Sequence, residues 1–340
     1  MSKQIGVIGA GSFGIALAFL LSNNGHDVTV WSRSQASVDK LIAYHGNEEK
    51  LPGVILNDSV KFTSSMQQAV SGKDMVVLVV PSAHMRETVK LVAPFIDTDS
   101  DEQPIIVNCT KGIEESTLMV MSDVILDELP GARVCVLSGP SHAEEVGKKL
   151  PTTIVVGAFD KETAKEVQNV FMNDVFRVYI SPDMLGIEIG AALKNVIALA
   201  AGMADGYGLG DNAKAALITR GIAEISRLGI AMGGKFESFA GLSGIGDLVV
   251  TCASMHSRNR RAGILIGQGK SMQEAMDEVK MVVEGVYSAK AALTLAHQYD
   301  VDMPIVQGVN EILFEGKSVE EGITELMIRE RRIENSSLDW

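Results

Sequence analysis

At 340 residues the chain is too long for one small core, and with 46% apolar residues it can bury two. A formal charge of −13 argues against nucleic acid as a partner and sets up a field that repels anions, so any phosphate site must be built from locally concentrated cations. Cys109, Cys135 and Cys252, odd in number and set in apolar runs, exclude a disulfide frame, and six histidines without HExxH or paired Cys/His spacing point to no metal.

The chain opens on Gln4-Ile5-Gly6-Val7-Ile8, a short apolar strand. It continues as Gly9-Ala10-Gly11-Ser12-Phe13-Gly14, with a helical pattern from Ile15 to Leu21. Strand, Gly-x-Gly-x-x-Gly and helix in that order are what a dinucleotide pyrophosphate needs. Gly9 allows the tight turn, Gly11 lets the backbone approach the phosphates, and Gly14 lets helix pack closely on strand. The helix N-terminus adds unpaired N–H groups. A strand starting at residue 4 leaves no room for a signal peptide, so a cytoplasmic location is expected.

A second strand is predicted at 28–31. NAD-selective folds place an acid at that strand's end to bind the ribose 2′-hydroxyl. Here the end reads Val30-Trp31-Ser32-Arg33-Ser34, and Asp27 lies at the start, too early to reach. Arg33 can pair with a 2′-phosphate, which predicts that NADPH serves at least as well as NADH. Alternatively Arg33 is an exposed bystander that permits both.

Further apolar runs at 75–80, 105–109, 134–137 and 153–156 alternate with helical patterns at 85–92, 117–129 and 161–171. Such alternation implies an α/β fold with a parallel, doubly wound, Rossmann-like sheet. From about residue 187 the strand signals fade, and 190–204, 212–230, 271–279, 286–299 and 319–330 read as helices. The expected division is a dinucleotide-binding domain over 1–190 and an all-helical domain over 191–340. The most apolar helical run, 187–204, contains Glu188, Lys194 and Asn195, so no membrane span and no membrane insertion are expected. The tail 335–340 reads as loose.

In open α/β sheets the ligand lies beyond the carboxyl ends of the strands. Two such ends carry polar groups, Thr110-Lys111-Gly112 and Ser138-Gly139-Pro140-Ser141-His142-Ala143-Glu144. Ser141 and Glu144 have capping-box spacing, so a helix is predicted to start there. Lys111 reads equally as a solvated loop lysine. Gly190 to Ala201 is small and apolar except for Lys194 and Asn195. A buried ammonium is costly unless paired or deprotonated, and burial beside a second cation lowers its pKa toward the range useful for proton transfer. The plainer reading is a lysine snorkelling to water. Gly241 to Gly246 forms a glycine-rich turn that could carry Asp247 into a cleft to orient an ammonium. Ser257, Arg258 and Asn259 offer hydroxyl, guanidinium and amide donors suited to phosphate oxygens, while Arg260 and Arg261 read as a basic helix surface.

The segments GAGSFG, TKG, SGPSHA, GAALKNVIALAAG, GLSGIGDLVVTC and SRNRR, in this order and spacing, resemble the soluble bacterial NAD(P)-dependent glycerol-3-phosphate dehydrogenases from about residue 4 to 330. The resemblance implies reversible reduction of dihydroxyacetone phosphate to sn-glycerol 3-phosphate, with NADPH or NADH, supplying the backbone of phospholipids. It implies that Lys194 exchanges the proton of the C2 oxygen. Lys111 would contact cofactor and substrate near that oxygen, and Asp247 would hold the reactive centre. Gly139, Ser141 and Asn195 would line the substrate, and Ser257, Arg258 and Asn259 would grip its phosphate. Gly9, Gly11, Gly14, Ser12, Phe13, Arg33, Lys111, Ala143, Arg258 and Glu284 would touch the cofactor. A helical domain with wide apolar faces, together with the resemblance, implies a homodimer.

Two other readings stay open at this level. A related two-domain dehydrogenase acting on a hydroxyacid or keto acid would bind a carboxylate and have no need of SRNRR. A non-catalytic NAD(P)H sensor would have no need of a lysine in an apolar helix.

Overall fold

The computed structural model describes residues 2–100, 102–331 and 333–334. The tail 335–340, read as loose, lies outside the described residues. Among the described residues there are eight strands: β1 (Gln4–Ile8), β2 (Asp27–Trp31), β3 (Lys61–Thr63), β4 (Met75–Leu78), β5 (Ile105–Asn108), β6 (Arg133–Ser138), β7 (Thr152–Ala158) and β8 (Phe176–Ser181). They form one sheet in the order β3-β2-β1-β4-β5-β6-β7-β8. Every residue of β4 and β5 is buried, because helices cover both faces of the sheet. Those helices are α1 (Ser12–Asn23), α2 (Gln35–Tyr44), α3 (Met66–Val70), α4 (Met85–Val92), α5 (Met121–Glu128), α6 (Ala143–Gly147) and α7 (Lys161–Phe171). Winding reverses between β1 and β4, which opens a crevice at the carboxyl ends of those two strands.

The doubly wound α/β expectation holds, with two differences. β7 runs antiparallel to β6, pairing Leu137 with Val156, so the sheet is mixed. The edge strands β3 and β8 carry no continuous apolar run. β8 instead begins by alternating buried Phe176 and Val178 with exposed Arg177 and Tyr179, as a strand with a wet face does.

From residue 184 on, the elements among the described residues are helices: α8 (Met184–Tyr207), α9 (Asp211–Ala231), α10 (Phe236–Phe239), α11 (Asp247–Ala253), α12 (Arg258–Gly267), α13 (Met272–Val279), α14 (Glu284–Gln298), α15 (Pro304–Phe314) and α16 (Val319–Ile328). All residues from Gly186 to Ala204 are buried, which makes α8 the axis around which the others pack. Asp183 caps it by accepting from the Gly186 N–H at 3.0 Å, so the helix starts before residue 190 and runs through it. α12 lies against α8 at backbone distance. A Cβ on Gly202 would fall 2.2 Å from the Arg260 carbonyl oxygen, and one on Gly263 would fall 2.3 Å from that of Leu199.

Two apolar stretches bear on the expectation of no membrane insertion. By length and composition, two helical stretches, Met184–Tyr207 and Phe236–Ala253, are apolar enough to cross a membrane. In the first, 89% of the apolar window is buried inside the protein, as suits a core helix.

Candidate active site

At the cofactor end, the steric demands on the glycine loop fit a dinucleotide. Gly9 has φ +121°, and a Cβ there would come 2.4 Å from the Val79 carbonyl oxygen of the neighbouring strand segment. A Cβ on Gly14 would meet the Gly9 carbonyl oxygen at 2.0 Å, so helix and turn touch through backbone alone. A Cβ on Gly11 would meet no protein atom within 4 Å, leaving that face open to an approaching ligand. The loop is braced from outside, since Asn47 Nδ2 donates to the Ala10 carbonyl at 2.7 Å and Ser12 Oγ donates to that of Lys50 at 2.7 Å. Phe13 packs against the core beneath the sheet. Arg33 is exposed just past β2.

The other half of the site converges on Asp247. Leu242–Gly246, read from the sequence as part of a glycine-rich turn, forms a π-helical turn that runs directly into α11. π-turns recur at functional sites because they re-aim the next side chain. Here the turn packs on α8, with a Cβ on Gly190 falling 2.9 Å from the Ser243 carbonyl oxygen. Asp247 is therefore delivered to Lys194. Its Oδ1 accepts from Lys194 Nζ, and its Oδ2 accepts from Lys111 Nζ at 2.6 Å. Lys194 also donates to Thr251 Oγ1 at 2.8 Å, and that hydroxyl donates to the Asp247 carbonyl at 2.6 Å. Lys111 also donates to the Gly139 carbonyl at 3.2 Å.

The charges follow from this geometry. Lys194 is 5% exposed and Asp247 1%. Burial brings the Lys194 ammonium down to about 7, with Asp247 opposing and Lys111 assisting. Burial alone would raise the Asp247 carboxyl, but Lys111 and then Lys194 outweigh it and hold it below the usual carboxylate range. Lys194 is neither exposed nor snorkelling, and Lys111 is not a free loop lysine.

Asn195, next on α8, accepts from Asn259 Nδ2 at 2.9 Å, and Asn259 Oδ1 accepts from the Gly285 N–H at 2.8 Å. Asn259 thus ties α8 to the start of α14, where Glu284 lies. Glu284 accepts from Ser82 Oγ at 2.6 Å and from the Ser82 N–H at 3.4 Å, just past β4. Burial pushes its carboxyl up, against Ser82 and Arg258. Burial likewise lowers Arg258, against Glu284 and Glu144. Ser257 caps α12 by accepting from the Arg260 N–H at 3.2 Å, which leaves its own hydroxyl hydrogen to donate.

Several assignments change. The Ser141–Glu144 capping box does not form: α6 starts at Ala143, and Ser141 Oγ donates instead to the Gly139 carbonyl at 3.0 Å. Arg260 is tied to Asp205 by two bonds, at 2.7 and 2.9 Å, and so serves the α8–α12 contact. Thr251, Ser82 and His142 were given no role by the sequence reading. Burial and then Lys194 lower the His142 imidazole, and its Nε2 is buried without a hydrogen-bond partner among the described residues. Thr251 lies one helical turn from Asp247, a spacing that could have flagged it.

Family models give the site a setting. One described as NAD-dependent glycerol-3-phosphate dehydrogenase N-terminus matches residues 4–164, and the corresponding C-terminus model matches 183–324. Over 338 residues the chain is 59% identical to the glycerol-3-phosphate dehydrogenase (NAD(P)+) of Agathobacter rectalis, covering 99% of each. The chain belongs to the NAD-dependent glycerol-3-phosphate dehydrogenase family. It is also 56% identical over 336 residues to the enzyme of that name from Fusobacterium nucleatum, covering 98% of this chain and 99% of the relative. The crystal structure of glycerol-3-phosphate dehydrogenase from Coxiella burnetii is similar at a TM-score of 0.92 and 35% identity, covering 96% of this chain and 99% of that one. The chain is thus an NAD(P)-dependent oxidoreductase, and in its candidate site two lysines share one buried carboxylate.

Proposed function

We propose that this dehydrogenase reduces dihydroxyacetone phosphate to sn-glycerol 3-phosphate, reversibly, with Lys194 as the proton donor to the C2 oxygen. The observation that carries this is a fully enclosed lysine brought to about 7 and held by Asp247 beside a second lysine. A bound nicotinamide cofactor supplies the hydride. Negative charge growing on the C2 oxygen is met by Lys111 and Lys194 in a site where fixed cations act strongly because water is excluded. Lys194 then passes its proton to that oxygen, and Asp247 keeps both ammonium groups aimed while doing so. Ser257, Arg258 and Asn259 hold the phosphate, and Gly139, Ser141 and Asn195 line the carbon chain. Binding energy at the remote phosphate positions the carbonyl.

Gly9, Gly11, Ser12, Phe13, Gly14, Arg33, Lys111, Ala143, Arg258 and Glu284 hold the cofactor, and Arg33 pairs with a 2′-phosphate when NADPH is used. The cofactor is held mainly by the sheet domain up to about residue 190, with Arg258 and Glu284 reaching it from the helical domain. The substrate is held mainly by the helical domain, with Lys111, Gly139 and Ser141 from the sheet side. The helical domain also pairs two copies into a homodimer. The enzyme works in the cytoplasm without inserting into the membrane, and its product feeds phospholipid synthesis.

The test is loss of nicotinamide absorbance on adding dihydroxyacetone phosphate to the wild type and to Lys194→Met. General acid–base groups contribute roughly 10²–10⁴-fold, so the variant should bind NADPH normally and turn over at least a hundredfold more slowly. A variant keeping a tenth of wild-type kcat refutes the role of Lys194. A wild type that binds NADPH without consuming it refutes the activity.

A further inference from the structure

Six residues before Lys194 on the same helix lies a second buried ionisable group that the mechanism does not use. Glu188 is 4% exposed, and no cation bonds to it among the described residues. Its carboxylate is filled by donors from the sheet domain instead. Oε1 accepts from Asn108 Nδ2 at 2.9 Å and from the Ser122 N–H at 2.9 Å, and Oε2 accepts from Ser122 Oγ. A carboxylate is costly to bury without a counter-ion, and here burial pushes it up to about 7 against the pull of Ser122. An apolar side chain would be the cheaper occupant of that position, so the group calls for an explanation.

The explanation lies in what Asn108 does with its other bonds. Asn108 ends β5, three residues before Lys111. Its Oδ1 accepts from the Thr110 N–H at 2.9 Å and its Nδ2 donates to the Thr110 carbonyl at 3.3 Å. Such a side-chain bond to the backbone two residues on sets the chain's direction as it leaves a strand. Thr110 is pinned from the far side by its Oγ1 donating to the Val80 carbonyl at 2.7 Å. We propose that Glu188 is a positioning residue: by orienting Asn108 it fixes the Thr110–Lys111 turn, and so places Lys111 on Asp247 and the C2 oxygen. The helix that carries the proton donor thereby also sets the angle of the second lysine. Ser122, at the start of α5, orients the carboxylate in turn.

This inference rests on the role given above to Lys111, and the experiment separates the two. Kinetic constants and NADPH affinity are measured for Glu188→Ala, Glu188→Gln, Ser122→Ala, Lys111→Ala and Glu188→Ala/Lys111→Ala. Expected for Glu188→Ala is a kcat at least tenfold lower with NADPH affinity within about threefold of wild type. Glu188→Gln keeps an acceptor for Asn108 and should recover most of the rate. In the Lys111→Ala background, removing Glu188 should cost less than threefold more, because the group it positions is already gone. Ser122→Ala, which leaves Asn108 bonded, covers the case in which Glu188→Ala does not fold, and should lower kcat a few-fold with unchanged NADPH affinity. Full additivity of the Glu188 and Lys111 effects overturns the proposal, as does wild-type kcat in a folded Glu188→Ala, or in Ser122→Ala should Glu188→Ala not fold. Wild-type kcat in Lys111→Ala would instead overturn the active-site reading itself.

Discussion

Replacing Asp247 by Asn perturbs the centre of the site while keeping its shape. Oδ1 and Oδ2 each hold one lysine, so the amide removes the charge that answers both. Lys194 is at about 7 with Asp247 raising it against burial and Lys111. Near neutral pH the proton it must donate is therefore held only in part. An opposite charge at this range shifts a pKa by roughly 1–3 units, so its loss lowers Lys194 further and cuts the protonated fraction about tenfold or more. A more acidic ammonium is a better donor, which offsets part of the deficit. We therefore expect reduction at saturating dihydroxyacetone phosphate to fall about tenfold to a hundredfold at pH 7.5. The pH above which the rate declines should move acidward by at least one unit, so that the deficit shrinks toward pH 5.5. The assay is initial-rate cofactor oxidation across pH, with NADPH affinity by fluorescence as the control for folding. A variant within threefold of wild-type kcat at pH 7.5, or one whose pH limb does not move, would show that Asp247 does not govern the proton on Lys194.

Arg258→Ala should raise KM for dihydroxyacetone phosphate about tenfold to a hundredfold, the equivalent of the roughly 1.5–3 kcal/mol of a hydrogen bond to a charged group, and change unphosphorylated dihydroxyacetone little. Equal losses for both substrates would place the phosphate grip elsewhere. Arg33→Ala should lower kcat/KM for NADPH and spare NADH; an unchanged ratio makes Arg33 a bystander. Glu224, which accepts from the Ile305 and Val306 N–H groups at the start of α15, is pushed by burial up to about 7. A raised folded pKa gives stability that is full below the ordinary glutamate value and lost as pH rises through about 7. The melting advantage of wild type over Glu224→Gln should therefore shrink by about 3 kcal/mol between pH 4.5 and pH 8, and a constant difference refutes the linkage.

What the sequence makes legible here is whatever one element carries alone. Gly9, Gly11 and Gly14 announce a phosphate turn because strand, turn and helix are contiguous, and Lys194 stands out because its own helix is otherwise apolar. Asp247 can be suspected of orienting an ammonium, but not of serving two, since Lys111 and Lys194 approach it from β5 and α8. Ser82 and Glu188 gain meaning only through partners more than sixty residues away. The Ser141 capping box fails for a local reason: its hydroxyl is taken by the Gly139 carbonyl two residues back, and the helix starts later. β3 and β8 escape notice because edge strands need not bury both faces, so their residues lack the apolar run that marks β4 and β5.

The bare backbone contact of Gly202 with α12, and of Gly263 with α8, leaves no side-chain layer through which those helices could slide. On the roles given above, α8 carries the group that protonates the carbonyl oxygen and α12 the groups that seize the phosphate. The two helices then act as a fixed calliper. The span from phosphate to C2 is then set by the backbone contact between these two helices. A phosphoketone one methylene longer would be refused on length, even though every atom of the shorter substrate is present in it.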